Sequence, residues 1–170
     1  TLHLSSPNGG QEHEASTAQV AAEILGSTPD KISASIPFDS DLSAWGVAAA
    51  NSGNNFHLYD IGAIHGAAGK LREKILKLAA FNLKVEPSEL TIDDSVVKIP
   101  GAPAKQITFA ELGRIAYNNQ HLIPDDMEPG LEATYYYMFP HAKPNIVPGA
   151  DRKVRAQFTF SAGAHAAIVE

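Results

Sequence analysis

The sequence predicts an α+β fold, a mixed sheet packed by two or three helices, one of them long and rich in alanine and glycine. Three observations carry this. Apolar residues recur at steps of three and four from Ile61 to Leu78, short alternating runs lie on both sides of that stretch, and no internal repeat or low-complexity segment signals another architecture. All 170 residues read as a single domain or a fragment of one.

In chain order, residues 1–5 form a strand with Leu2 and Leu4 on one face, and residues 7–10 turn. A helix runs from about Ala15 to Leu25 on Val20, Ala21, Ile24 and Leu25, stopped by Gly26 and Pro29. Ile32, Ala34 and Ile36 alternate with Lys31, Ser33 and Ser35 up to Pro37, the pattern of a half-buried strand. Residues 39–56 are too long for an ordinary connection and read as a working loop.

The long helix follows, with Ile61, Ile64, Ala68, Leu71, Ile75 and Leu78 on one side. Its Gly62, Gly66 and Gly69 should each weaken it by up to about 1 kcal/mol relative to alanine, so close approach of another backbone or a ligand is expected there. Residues 89–101 read as a hairpin with Asp93, Asp94 and Ser95 near its tip, and Thr108 with Glu111 makes a capping box for a helix that turns Phe109, Leu112, Ile115 and Ala116 inward. Two further strands are predicted at 131–139 and 154–170, with a Pro-rich loop between them.

Composition narrows the function. A hydrophobic share of 44% and a charged share of 19% are those of a globular chain, and no apolar run approaches the roughly 20 residues that cross a bilayer. A formal charge of −6 opposes a nucleic-acid surface, which needs clustered cations to displace counterions, and favours a small or enclosed ligand. Cysteine is absent, which excludes disulfides, thiolate metal sites and a cysteine nucleophile in this chain. That absence and the lack of a signal-peptide pattern fit a cytoplasmic location. The start at Thr1, without methionine and already in a strand, reads as part of something longer.

Most candidate chemistry resolves into structural readings. His13-Glu14 opens like the zinc-protease pattern HExxH, but Thr17 occupies the second ligand position. His57 and His65 lie more than two helical turns apart, about 12 Å of rise, and read as structural or solvent-exposed. Asp39 and Asp41 read as a solvated turn, and Ser161 with His165 lacks the nucleophile elbow and orienting acid of a hydrolase. Tyr135, Tyr136 and Tyr137 in an extended run place the middle ring opposite its neighbours.

Two glycine-rich stretches remain, residues 8–14 and 48–56, each directly before a helix. Tight turns there expose backbone N–H groups, and Gln11, Asn51, Asn54 and Asn55 add neutral donors and acceptors. Neither stretch is a P-loop or a dinucleotide fingerprint. Two of them in one domain point to a shared polar ligand.

The order of motifs resembles the molybdenum hydroxylase large subunit, the group that includes carbon monoxide, aldehyde and xanthine dehydrogenases. Bacterial members carry G-Q-G-H-E-T-T before a helix of the type F-A-Q-I-A-A-E-x-L-G, then P-x-D and a strand. This chain has Gly10-Gln11-Glu12-His13-Glu14-Ala15-Ser16, then TAQVAAEILG over 17–26, then Pro29-Asp30. The family's loop G-T-Y-G-S-R-S precedes an alanine-rich helix as ANSGNNF does at 50–56, and EPGLEA at 128–133 and GAHAAIVE at 163–170 continue the likeness, which covers essentially the whole chain.

The resemblance implies part of a molybdopterin-binding region, with the cofactor as its cytosine dinucleotide. It implies a heteromeric complex in which the rest of the large subunit and flavin and iron–sulfur subunits are partners, and an oxidoreductase that hydroxylates or oxidises a small-molecule substrate such as an aldehyde, CO or an N-heterocycle. On the two loops expected to bind the cofactor, Gly10, Gln11, His13 and Gly53 match the family residue for residue, while Glu12, Asn51, Ser52, Asn54 and Asn55 occupy the loops without matching it. No catalytic residue and no metal ligand is assigned, because the family's glutamate base belongs to a later motif that this chain lacks, so the isolated chain should turn over nothing. Two departures matter: Glu12 stands for a family glycine and Asn55 for a family arginine, and both oppose an anionic ligand. The alternative reading is a non-catalytic scaffold of the same fold that has lost the cofactor; a free-standing small-ligand module is a more distant one.

Overall fold

The computed structural model describes residues 1–4, 10, 12–35, 54, 56–138 and 166–169. Helix α1 (His13–Leu25) begins slightly before its expected start and ends at Gly26, whose left-handed backbone (φ 67°) lets its N–H reach the Ala22 carbonyl. Only glycine fits there on a second count, because a methyl group would sit 2.8 Å from the Ile92 carbonyl oxygen. On either side of α1, β1 (Leu2–His3) and β2 (Ala34–Ser35) pair in parallel, with Leu2 opposite Ala34. Parallel neighbours need a crossover between them, and α1 supplies it.

Helix α2 (Ile61–Leu83) is the long helix of the sequence reading, with Ile64, Ala68, Ile75 and Leu78 buried. It is preceded without a break by a π-helical turn over Phe56–Asp60. Then comes the hairpin of β3 (Thr91–Asp93) and β4 (Val96–Lys98), whose linking residues Asp94 and Ser95 both have positive φ, the two-residue connection that matches strand twist. A third antiparallel strand, β5 (Gln106–Thr108), completes this sheet in the order β3-β4-β5. Sequence pattern missed β5, since three residues with one apolar side chain are too few to show alternation.

Helix α3 (Phe109–Asn118) has the expected capping box: the Glu111 N–H donates to Thr108 Oγ1 at 3.2 Å and the Thr108 N–H to Glu111 Oε2 at 2.8 Å. The α+β class therefore stands, with parallel and antiparallel pairing divided between two small sheets. Of the strand expected at 131–139, residues 131–138 form no ladder among the described residues. They are extended, and their partner is a helix. Lys77 of α2 pairs with Asp126 at 2.7 Å, Lys74 donates to the Glu132 carbonyl at 3.0 Å and Lys70 to that of Thr134 at 3.4 Å. The tyrosines alternate as expected, with Tyr135 and Tyr137 against Gly66 and Gly62 of α2 and Tyr136 turned out, 70% exposed. Gly62 and Gly66 thus admit aromatic rings where a backbone or ligand was expected. The strand expected at 154–170 and most of the loop at 39–56 lie outside the described residues.

The larger core joins Ile75, Leu78 and Ala79 of α2 to Leu25, Leu90, Val97, Leu112 and Met127. A smaller one gathers Leu4, Ala21, Phe56 and Ile64, linking β1, α1, the π turn and α2. Among the described residues no helix is long and apolar enough to cross a membrane.

Candidate functional site

The smaller core brings the two glycine-rich helix entrances together. His13, the first residue of α1, lies flat on the ring of Phe56, with centroids 3.9 Å apart and planes 3° from parallel. Phe56 opens the π turn and in turn meets the edge of His57 at 5.7 Å. The stack therefore fixes the start of α1 against the start of the helical run that leads into α2.

Around this stack, Gly10 has φ 93° and Glu12, the N-cap of α1, has φ 55°. An N-cap residue normally has extended backbone and an oxygen that accepts from the first turn. Glu12 has neither: it is left-handed, and no side-chain bond caps the helix. The positive end of the helix dipole lies at this turn. Asn54 is also left-handed, at φ 61°; its carbonyl accepts from the N–H groups of His57 and Leu58, and its Oδ1 lies 2.7 Å from His57 Nδ1. Of the other residues expected to bind, Gln11, Asn51, Ser52, Gly53 and Asn55 lie outside the described residues.

Sequence reasoning passed over two residues here. Phe56 was taken only as the end of a loop, although an apolar residue at a helix entrance often packs on its neighbour. Thr17, noted only because it was not histidine, lies one turn from His13 and is completely buried. Its Oγ1 and His13 Nδ1 are buried and make no hydrogen bond among the described residues. A buried polar atom left unpaired costs about 1–3 kcal/mol, and such atoms commonly await water, an ion or a ligand. The helix dipole and these two buried polar atoms suit a polar guest at this end of α1, and the Glu12 carboxylate disfavours an anionic one.

The family model described as the molybdopterin cofactor-binding domain matches residues 1–170. The chain belongs to that family. It is a molybdenum-hydroxylase large-subunit segment, and it is similar to the nicotine 6-hydroxylase large subunit of Paenarthrobacter nicotinovorans, at 29% identity over 126 residues, 74% of this chain and 15% of that protein. It is likewise similar to the carbon monoxide dehydrogenase large chain of Afipia carboxidovorans, at 33% identity over 128 residues, 75% of this chain and 15% of that one. Among solved structures, quinoline 2-oxidoreductase from Pseudomonas putida 86 superposes with a TM-score of 0.69 at 30% identity, over 81% of this chain and 17% of that chain. The chain thus spans about a sixth or less of the length of the relatives it matches.

Proposed function

We propose that this chain supplies two helix-entrance loops that hold molybdopterin, as its cytosine dinucleotide, in a molybdenum-dependent hydroxylase or dehydrogenase. The observation that carries the reading is the flat contact of His13 on Phe56, which joins the two entrances. Gly10, Gln11, Glu12 and His13 from the first loop and Asn51, Ser52, Gly53, Asn54 and Asn55 from the second would line the cofactor, with residues 1–170 acting as one unit of the larger subunit. When bound, the cofactor supplies a molybdenum centre that passes water-derived oxygen to a substrate and accepts two electrons. This chain's share is grip: the dipole at the start of α1 and the polar atoms of His13 and Thr17 orient a polar group, and the aromatic stack keeps the two entrances in register.

The whole enzyme in this reading is cytoplasmic and heteromeric, with the remainder of the large subunit and with flavin and iron–sulfur subunits as partners. Its substrate is an aldehyde, CO or an N-heterocycle, and its base lies in another segment. Similarity to large chains that act on carbon monoxide, nicotine and quinoline supports this. Glu12 favours a second reading, a scaffold of the same fold without cofactor, since its carboxylate stands at the N-cap of α1.

Purifying the natural assembly and measuring released molybdenum and cytidine nucleotide decides between the two. The first reading expects both, at comparable amounts per chain; an intact assembly devoid of both overturns it. Glu12→Gly with Asn55→Arg should tighten retention of the cofactor, and unchanged or weaker retention would count against the electrostatic role given to those positions.

A further inference from the structure

The extended segment that follows α3 runs along α2 and finishes at the helix's first turn. Gly62 is the second residue of α2, directly after the π turn that carries Phe56. A methyl group at Gly62 would overlap the ring of Tyr137, and one at Gly66 the ring of Tyr135. Residues four apart share a helix face, so the two rings sit one turn apart on bare backbone. Lys70, Lys74 and Lys77 tie the rest of the segment to the same helix.

We infer that Tyr137 is a positioning residue for the cofactor entrance: seated on Gly62, its ring holds the first turn of α2 and, through the π turn, the stack of Phe56 on His13. The inference rests on the cofactor reading above. A π turn is rare and occurs mostly as a single turn, frequently at functional sites; beyond the bonds from the His57 and Leu58 N–H groups to the Asn54 carbonyl, this one is braced by packing. On one side that brace is the smaller core, where Phe56 packs with Leu4, Ala21 and Ile64. At the helix end of the turn it is Tyr137. Tyr135 makes the same kind of contact one turn farther from the π turn, at Gly66, and adds a Lys70 ammonium 5.1 Å from its ring centre.

That pairing provides an internal control. In the natural assembly, Tyr137→Ala and Tyr135→Ala are compared by melting temperature, by amide hydrogen exchange over residues 54–62, and by molybdenum and cytidine nucleotide per chain. Both variants should lower the melting temperature by similar amounts. Only Tyr137→Ala should speed exchange at 56–60 and reduce bound molybdenum several-fold, and Tyr137→Phe should restore both. Equal effects of the two alanine variants, or no effect of Tyr137→Ala on exchange, overturn the inference. If Tyr137→Ala fails to assemble, Gly62→Ala keeps the ring but displaces it, with Gly66→Ala as its control and the same outcomes. A wild-type assembly without molybdenum or nucleotide overturns the cofactor reading instead, and the exchange comparison still decides whether Tyr137 braces the entrance.

Discussion

Glu12 concentrates the tension of the candidate site in one residue. Its φ of 55° lies in the left-handed region, where a side chain costs about 1–2 kcal/mol. Against that stand the attraction of a carboxylate to the helix N-terminus, about 0.3–1 kcal/mol, and the larger unfolded-state freedom that glycine brings, about 0.4–1 kcal/mol. The two opposing contributions together, about 0.7–2 kcal/mol, nearly cancel the strain, so Glu12→Gly should leave the urea midpoint almost unchanged. A lower midpoint would mean that the dipole and entropy outweigh the backbone strain. The substitution of glutamate for glycine was visible in the sequence, but its backbone angle was not: a single letter does not report φ. His13 was legible in the same limited way, as a member of a motif, while its contact with Phe56 depends on a residue more than forty positions away.

At the scale of elements, the capping box of α3 is where local sequence and structure agree most closely. Thr108→Ala removes the acceptor for the Glu111 N–H and should cost about 1 kcal/mol, measurable by thermal or denaturant unfolding. The same box sets a pH dependence. Hydrogen bonds from the Thr108 N–H and then its hydroxyl hold the Glu111 carboxyl below its ordinary value of 4.5. A carboxyl with a lowered folded pKa adds stability above its ordinary value, and that contribution is lost as pH falls through the folded one. Lys98 lowers Asp93 and Lys77 lowers Asp126 in the same sense. Stability should therefore decline on acidification through and below the carboxylate range, and Glu111→Gln should make that decline shallower; an unchanged acid profile for the variant would refute the assignment. Helices α1, α2 and α3 were all legible because spacing, stop signals and caps are local. The short strand β5 and the helix-bound segment 131–138 were not, since pairing partners are chosen by tertiary packing rather than by propensity.

Over the whole molecule, two positions connect what the sequence lists separately. Gly26 closes α1 and also meets the hairpin, because Ser95 N–H donates to its carbonyl at 2.9 Å and Ile92 leaves no room for a side chain. Gly26→Ala combines a left-handed penalty of about 1–2 kcal/mol with overpacking of about 1–3 kcal/mol. It should destabilise far more than the surface change Lys77→Ala, whose exposed, solvent-screened ion pair contributes little. Leu78, fully buried in the larger core, should cost about 2–5 kcal/mol when cut to alanine. Denaturant unfolding of the three variants tests the ranking, and a Lys77→Ala effect as large as the other two would contradict it.

By itself the sequence determined the class of fold, the positions of the helices, the hairpin and its turn, and the family, because periodicity, caps and ordered motifs are written in neighbouring residues. Only the tertiary structure decided that the two glycine-rich entrances meet through His13 and Phe56, that Gly62 and Gly66 of α2 receive tyrosine rings while Gly69 faces open space, and that two buried polar atoms at the same place make no hydrogen bond among the described residues. The ring contacts join residues far apart in the chain, and such contacts are settled by how whole elements share a limited buried volume.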